Sequence, residues 1–282
     1  METFKMIIVD FNQVMISNLM MQLGNHTNTP LEEGLLRHMV LNSLRSYKQK
    51  FGDEFGEMVI ACDDKNYWRK QVFPYYKANR KKARDSSELD WSMIFDVFNK
   101  IKTEIKEFFP YRVIQVDSAE ADDIIATLVE HHQEKVLILS GDKDFVQLQQ
   151  HPFVRQYDPI RKKWITHNDP KKYLYEHILK GDSGDGIPNV LSDDDTFVTN
   201  KRQKPLTQKK IDVLVSASEM DPGTLQNYNR NKTLVDLSFV PSHIKEQVLT
   251  KYQEEQGKGR DKLFNYFIKH KLKHMMESIG EF

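Results

Sequence analysis

The residues best suited to chemistry in this chain are carboxylates that follow short apolar runs. The run at 136–140 leads directly into GDKD, and the runs at 5–9 and 58–62 are each followed by aspartate. Two further acidic motifs, EADD and GDSGD, lie elsewhere in the sequence. Together these segments supply the candidate metal ligands Asp10, Asp63, Glu120, Asp122, Asp142, Asp144, Asp182 and Asp185.

Carboxylates gathered at one place require cations. Each close pair of like charges costs about 1 to 4 kcal/mol at intermediate dielectric, so such a cluster is unstable without a compensating charge. Sites built from oxygen ligands alone favour hard ions. We therefore expect Mg²⁺ at this cluster, with Mn²⁺ as a substitute.

Each acidic motif has an ordinary structural explanation when taken alone. Acidic residues at a helix start stabilise the helix by roughly 0.3 to 1 kcal/mol, and aspartates are common in turns. The coincidence of several motifs at one sheet edge favours the metal site. Asp64 and Asp123 are direct neighbours that could exchange roles with Asp63 and Asp122; we favour Asp63 because it follows the strand more directly.

The elements that must position these acids can be read from hydrophobic patterns. Continuous short apolar runs predict buried strands at 5–9, 58–62, 112–116 and 136–140. Helical patterns separate them, the clearest starting with Ser87 as its N-cap and ending at Pro110. Alternating strands and helices predict an α/β fold with a mostly parallel sheet flanked by helices. Ligands bind beyond the carboxyl ends of such strands, where Asp10, Asp63 and Asp142 fall.

Composition limits the class of protein. The 282 residues, 39% of them hydrophobic, suffice for a substantial core, and 41 basic residues balance 41 acidic ones. With the single cysteine Cys62, no intramolecular disulfide can form, and no apolar run approaches the length of a transmembrane helix. We expect a soluble, cytoplasmic monomer, without a signal peptide or membrane contact, in which Cys62 is a small buried residue.

Two segments could bind nucleic acid despite the zero net charge. Residues 65–84 contain eight basic residues and no acidic one, interleaved with aromatic residues. Such charge runs are usually solvated helix faces, but this one follows an acid-bearing strand. The second segment lies in a more polar region after residue 180, with helical patterns near 208–216, 243–253 and 262–276. Its basic residues are Lys201, Arg202, Lys204, Lys209 and Lys210, and the acidic triplet 193–195 precedes them.

The ordered motifs resemble the flap endonuclease, or structure-specific 5′ nuclease, family. The resemblance covers roughly residues 5–190 and 229–241. It implies a PIN-like nuclease core at 1–180 and, at 181–282, a helical duplex-binding lobe with a modified helix-three-turn-helix. It also implies two metal sites, one around Asp63, Glu120, Asp122 and Asp142 with Asp10 close by, and one that uses Asp144, Asp182 and Asp185 and shares Asp142.

By the same resemblance, residues 65–90 form an arch over the cleavage site. Lys77 and Arg80 would then join Asp10, Asp63 and Asp142 as catalytic residues. Tyr75, Tyr76 or Trp68 would stack on an end base, and the phosphate guides would be Lys81, Lys82 and Arg84. The chain departs from the family at 190–206, where a glycine-rich hairpin is replaced by SDDD and basic residues. We therefore expect duplex binding there without a monovalent-cation site.

The implied function is that of a Mg²⁺-dependent 5′ to 3′ exonuclease and flap endonuclease. Its substrates would be RNA/DNA and DNA/DNA duplexes with a free 5′ end or flap, as in removal of lagging-strand primers. A PIN-type ribonuclease for single-stranded RNA and a catalytically silent DNA-end or junction binder remain alternatives. Segment 273–282 could contact a single-strand binding protein or a sliding clamp, or could be a plain surface helix.

Overall fold

The computed structural model describes residues 5–23, 32–216, 219–255 and 258–282, with the backbone alone for 81–83. The side chains of Lys81 and Lys82 therefore lie outside the described part of the chain, as does part of the polar linker near residue 256. Among the helices of these described ranges, none combines the length and the apolar character needed to cross a membrane.

The centre of the fold is a six-stranded sheet. Its strands are β1 (Met6–Asp10), β2 (Glu57–Ala61), β3 (Arg112–Ile114), β4 (Val136–Leu139), β5 (Val154–Asp158) and β6 (Lys163–Ile165). The order is β3-β2-β1-β4-β5-β6, in which β6 pairs antiparallel with β5 and the other pairs are parallel. This confirms the mostly parallel sheet and adds β5 and β6, which the apolar runs did not reveal.

Helices cover both faces of the sheet. They are α1 (Phe11–Leu23), α2 (Glu33–Phe55), α3 (Arg69–Val72), α4 (Ala78–Asp85), α5 (Trp91–Phe108), α6 (Ala121–His131), α7 (Pro170–Lys180), α8 (Gln208–Ser216), α9 (Pro222–Val235), α10 (Ser242–Glu254), α11 (Leu263–Lys269) and α12 (Lys273–Glu277). Short 3₁₀ turns occupy Asp144–Gln150, Leu237–Phe239 and Ile279–Glu281.

Alternate residues of the central strand feed two separate cores. Ile7 and Val9 pack with α1, α2, α5 and α11 on one face, whereas Met6 and Ile8 pack with α6 and α10 on the other. Two smaller apolar clusters join residues 174–191 to α8 and α9. The helices after residue 240 therefore complete the cores of the sheet, and the boundary at residue 180 stays a prediction.

Two predicted helix limits are wrong. Helix α5 begins at Trp91, because Asp90 accepts a hydrogen bond from Met93 N at 2.9 Å and is the N-cap, while Ser87 Oγ accepts one from Leu89 N in the preceding turn. The single helix predicted at 262–276 is broken into α11 and α12. Lys271 adopts a φ of 56° between them, which no helix tolerates.

The terminal segment is part of the core. The Phe282 ring is fully buried, with centroids 5.6 Å from Phe109 and 5.3 Å from Phe267. A main-chain oxygen of Phe282 accepts a hydrogen bond from Arg260 Nε at 2.6 Å. The plain frayed helix considered for this segment is thus wrong, and the aromatic side chain of Phe282 is not available to a partner.

Candidate metal centre and nucleic-acid interface

The acids that follow the strands meet in one cleft at the carboxyl edge of the sheet. Asp10 is the last residue of β1, and Asp63 and Asp142 follow β2 and β4 by a few residues. Asp122, from the first turn of α6, and Asp185, from the loop after α7, line the same cleft. The parallel topology brings Asp10, Asp63 and Asp142 together, because the carboxyl ends of parallel strands share one edge.

Hydrogen bonds orient the acids toward the cleft. Asp10 Oδ2 accepts from Ser140 Oγ at 3.0 Å. The two oxygens of Asp63 accept from Ala121 N at 2.7 Å and from Asn12 Nδ2 at 2.9 Å. Asp142 Oδ1 accepts from Asp144 N at 3.0 Å, which fixes the turn after β4.

The electrostatics of this cleft suit a divalent cation. Burial, together with the charges of Asp63 and Asp142, raises the pKa of Asp10 to about 8. Burial and the neighbouring acids likewise raise the pKa of Asp122 well above its usual range, and the pKa of Asp142 is raised for the same reasons. Converging oxygen ligands whose negative charge is uncompensated are the donor set that binds Mg²⁺ or Mn²⁺.

The structure distinguishes the neighbouring aspartates. Asp64 Oδ2 accepts from Ser118 N at 3.1 Å and closes a local turn. Asp123 is fully buried behind the cleft, where its carboxylate accepts from Glu120 N at 2.9 Å and from Trp68 Nε1 at 3.1 Å. The geometry therefore favours Asp63 and Asp122 as the cleft residues.

Glu120 lies behind the cleft with all its charge paired. Its side chain is 2% exposed and accepts from Arg69 Nη1 at 2.9 Å and from the Tyr76 hydroxyl at 2.9 Å. Lys77 Nζ donates to its other oxygen. In this arrangement Glu120 holds the basic residues next to the cleft and is not part of the cleft wall.

Lys77 lies among the acids with its side chain 13% exposed, whereas Arg80 lies at the mouth of the cleft. Lys77 has a φ of 57°, its N–H donates to Asp185 O at 2.7 Å, and its Nζ lies 3.6 Å from Asp185 Oδ2. Although burial opposes the charged amine, the carboxylates of Asp185 and Glu120 raise the pKa of Lys77. Arg80 pairs with Asp185 while its side chain is 47% exposed, so its guanidinium can reach a phosphate at the cleft mouth.

A second group of ligands lies beside the first and contains a histidine that the sequence reasoning missed. Asp144, His177 and Asp182 each offer one ligand atom, all within 4.8 Å of one another. Gly181 makes this possible: it ends α7 with a φ of 65°, and a Cβ there would meet Ile187 O at 2.4 Å. The sequence feature that could have indicated this ligand is the position of His177, five residues before Asp182.

The segment 65–90 combines buried and exposed residues. Tyr76 is 2% exposed and its hydroxyl also lies 3.0 Å from Asp185 Oδ2, so its ring offers no face for base stacking. The expected stacking role of Tyr76 is therefore contradicted, because a buried ring bonded to two acids cannot receive a base. Tyr75, 37% exposed, can present its ring, and Arg84 lines the cleft.

The acidic residues 193–195, in the loop that follows α7, lie beside basic side chains. Lys201 pairs with Asp195 at 3.1 Å, Lys204 lies 3.6 Å from Asp193, and Arg230 from α9 pairs with Asp194. Each acid of the triplet therefore has a basic side chain beside it. The exposed basic residues of this region are Lys201, Arg202, Lys204, Lys209 and Lys210.

This fold and site define the class of 5′ nucleases with an acidic cleft, and comparisons with known proteins agree. Residues 5–177 match the model of the 5′-3′ exonuclease N-terminal, resolvase-like domain, and residues 170–282 match that of the C-terminal domain of T4 RNase H. The chain therefore belongs to the 5′-3′ exonuclease family.

Its relatives include a phage ribonuclease H and bacterial flap endonucleases. Ribonuclease H of Enterobacteria phage T4 is 30% identical over 98% of this chain and 95% of that protein. Flap endonuclease Xni of Shewanella pealeana is 33% identical over 47% of this chain and 52% of its own length. The motifs YWRK and YYKANRKKAR and the terminal ESIGEF predicted a resemblance to ribonuclease H of T-even phages, which is confirmed.

Solved structures confirm the fold. The T5 5′-exonuclease with bound divalent zinc ions superposes with a TM-score of 0.61 at 17% identity, over 89% of this chain and 99% of that one. A bacteriophage T5 flap endonuclease in complex with DNA and metal ions gives 0.60 at 18% identity, with the same coverage. At such low identity the likeness concerns the PIN-like core and the helical C-terminal region.

Proposed function

We propose that this protein is a Mg²⁺-dependent 5′ to 3′ exonuclease and flap endonuclease. It hydrolyses phosphodiester bonds in RNA/DNA and DNA/DNA duplexes and removes RNA primers with adjacent DNA during lagging-strand replication. The observation that carries the proposal is the cleft in which five aspartates face Lys77, Arg80 and Arg84. Acids to bind cations and bases to bind phosphate are the two requirements of metal-assisted phosphodiester hydrolysis.

Two groups of residues would hold two ions. Asp10, Asp63, Asp122 and Asp142 form one, with Glu120 behind them, and Asp144, Asp182 and Asp185 form the other. When bound, the ions supply an activated water and stabilise the charge of the attacking and leaving oxygens. Mn²⁺ is the expected substitute for Mg²⁺, since both bind oxygen ligands.

The basic residues of the chain contribute orientation and charge stabilisation. Lys77 is held between Glu120 and Asp185 and presents a fixed cation to the reacting phosphate. Arg80, at the cleft mouth, contacts the same phosphate. Arg84, Lys81 and Lys82 guide the single-stranded 5′ end, with Tyr75 available for stacking on its base.

The region from 181 to 282 supplies duplex binding, and the core from 1 to 180 supplies the cleft together with Asp182 and Asp185 from the loop that follows α7. The exposed basic residues between 201 and 210 contact the phosphates of the duplex behind the cleavage site. Two relatives support this assignment of substrates. One is named a ribonuclease H, and a neighbour in structure was solved in complex with DNA and metal ions.

A cleavage assay tests the proposal. Duplexes that carry a 5′ RNA primer or a 5′ DNA flap, labelled at the 3′ end, should be shortened from the 5′ end with Mg²⁺ and stay intact with a chelator. Asp142→Asn should abolish cutting while duplex binding remains measurable. Asp53→Asn, which changes an exposed aspartate of α2, is the matched control and should cut normally.

Three outcomes would contradict the proposal. Binding of the duplex without cleavage under any divalent ion would identify a silent DNA-end binder. Cleavage of single-stranded RNA alone would identify a ribonuclease of the PIN type. A cut that Asp142→Asn leaves unchanged would place the reaction at a different site.

A further inference from the structure

His177 lies between two carboxylates of the second acidic group. It belongs to the last turn of α7, and its Nδ1 is 3.4 Å from Asp144 Oδ1 while its Nε2 is 3.6 Å from Asp182 Oδ2. The ring packs edge-on against Tyr173, with centroids 5.9 Å apart. The imidazole is therefore held in one orientation beside the acids that follow β4.

The separations resemble those of ligands that share an ion. Ligands bonded to one metal at about 2.1 Å lie roughly 3 to 3.5 Å from each other. Hydrogen bonds between nitrogen and oxygen are usually about 2.9 to 3.0 Å long. An imidazole binds one ion through one nitrogen, so the separation that matters is the 3.4 Å between His177 Nδ1 and Asp144 Oδ1, which is longer than a hydrogen bond and falls in the ligand-to-ligand range.

The burial of His177 Nδ1 supplies a further observation. This atom is fully buried and has no hydrogen-bond partner within the described ranges of the chain. A buried polar nitrogen without a partner normally costs free energy, so its placement calls for an explanation. It faces Asp144, whose carboxyl is deprived of solvent and lies near the charge of Asp142.

We propose that His177 is a nitrogen ligand of the ion held by Asp144 and Asp182, and that it makes this site selective for Mn²⁺ or a similar transition ion over Mg²⁺. The inference deepens the proposed function, on which it rests for the presence of an ion. Imidazole suits first-row transition ions, whereas Mg²⁺ strongly prefers oxygen. The competing explanation is a protonated imidazole that bridges the two carboxylates without a metal role.

Pulsed electron paramagnetic resonance of the Mn²⁺-loaded 282-residue chain distinguishes metal coordination by His177 from a protonated imidazole that has no metal role. A coordinated imidazole produces a ¹⁴N modulation of the Mn²⁺ signal, and ¹⁵N-labelled histidine should convert it to the ¹⁵N pattern. Mn²⁺ that binds without any histidine modulation would overturn the inference. This readout needs no substrate and no variant, so it is independent of catalysis and of folding defects.

Two variants identify the histidine. His177→Gln should remove the modulation, whereas His270→Gln should retain it. His270 is a matched control because its side chain is 16% exposed, against 14% for His177, and lies 4.0 Å from Glu104, away from the cleft. A modulation that persists in His177→Gln, or that disappears in His270→Gln, would refute the assignment.

Calorimetric titrations then test selectivity. His177→Gln should weaken Mn²⁺ binding at one site by about tenfold, a typical effect of disturbing a metal ligand or its support, with a much smaller change for Mg²⁺. Equal losses for the two ions would overturn the selectivity. If the wild-type chain binds ions through oxygen alone and still cuts duplexes, this inference fails and the proposed function stands; if it binds no divalent ion, both fail.

Discussion

Arg69 is expected to be the most important single cation for the stability of this protein. Its side chain is 3% exposed, donates to Glu120 Oε2 at 2.9 Å and to Leu234 O at 2.9 Å, and forms an ion pair with Asp123 Oδ1 at 2.8 Å. The two acids begin α6, and Leu234 belongs to α9. One guanidinium thus joins the helix that carries Asp122 to the helices after the cleft.

The cost of replacing Arg69 with methionine follows from what is left behind. Glu120 keeps its contacts with Tyr76 and Lys77, but Asp123, whose side chain is fully buried, would keep its charge without a cation. Removing one partner of a buried ion pair costs about 3 to 5 kcal/mol. At roughly 2 to 4 °C per kcal/mol for a chain of this size, Tm should fall by roughly 6 to 20 °C.

Thermal and urea unfolding followed by circular dichroism measure this loss, in buffer without divalent ions. Lys251→Met is the control, because Lys251 pairs with Glu254 at 2.7 Å on the surface, with side chains 44% and 54% exposed. Such an exposed pair contributes about 0.5 kcal/mol or less. The double variant Arg69→Met/Asp123→Asn should recover part of the loss, since the orphaned charge is gone.

The reasoning would be refuted by either of two results. If Arg69→Met unfolds at the same urea concentration as Lys251→Met, the buried cluster does not carry the stability assigned to it. If the double variant is less stable than Arg69→Met alone, the uncompensated charge of Asp123 is not the cause of the loss.

Three further predictions concern the cleft and its surroundings. Lys77→Ala should lower single-turnover cleavage by about 100-fold yet change duplex affinity, measured by fluorescence anisotropy, much less; an equal loss of both would argue for a binding role. Arg230→Met removes the donor to Pro188 O at 3.0 Å and the partner of Asp194, and urea unfolding should show a loss of about 1 to 3 kcal/mol; an unchanged midpoint would contradict this. Cys62→Ala should keep full cleavage, since burial raises the pKa of the thiol to about 12 and leaves no thiolate at neutral pH; loss of cleavage in a folded variant would reopen a role for this cysteine.

The part of the fold that sequence reveals is the part with continuous apolar runs. The strands β1, β2 and β4 are buried along nearly their whole length and were therefore visible as runs. Strand β5 reads VRQYD, with Arg155 exposed at one edge, and β6 has three residues of which Trp164 is 38% exposed. Short strands with polar residues show no hydrophobic periodicity in the sequence. They are recognised only by their pairing with neighbouring strands in the structure.

The candidate site also has one part that the sequence predicts and another that only the structure reveals. The carboxyl ends of parallel strands converge by topology, so the meeting of Asp10, Asp63 and Asp142 could be predicted without coordinates. The placement of His177 beside these acids could not be predicted, because it depends on how α7 packs against the 3₁₀ turn that begins with Asp144. The burial of Glu120 behind the cleft likewise follows from Arg69 and Lys77, which lie more than forty residues away in sequence.

Charge balance changes the meaning of the basic segment 65–84. In the sequence its basic residues form one group beside the acids, and the candidates for phosphate contacts are Lys77, Arg80, Lys81, Lys82 and Arg84. In the structure Arg69 and Lys77 point inward and neutralise Glu120, Asp123 and Asp185, whereas Arg84 stays exposed. An inward cation that is already paired releases no counterion from nucleic acid, so it adds little to the salt dependence of binding. The salt dependence of duplex binding therefore reports on the outward residues, and turnover reports on the inward ones.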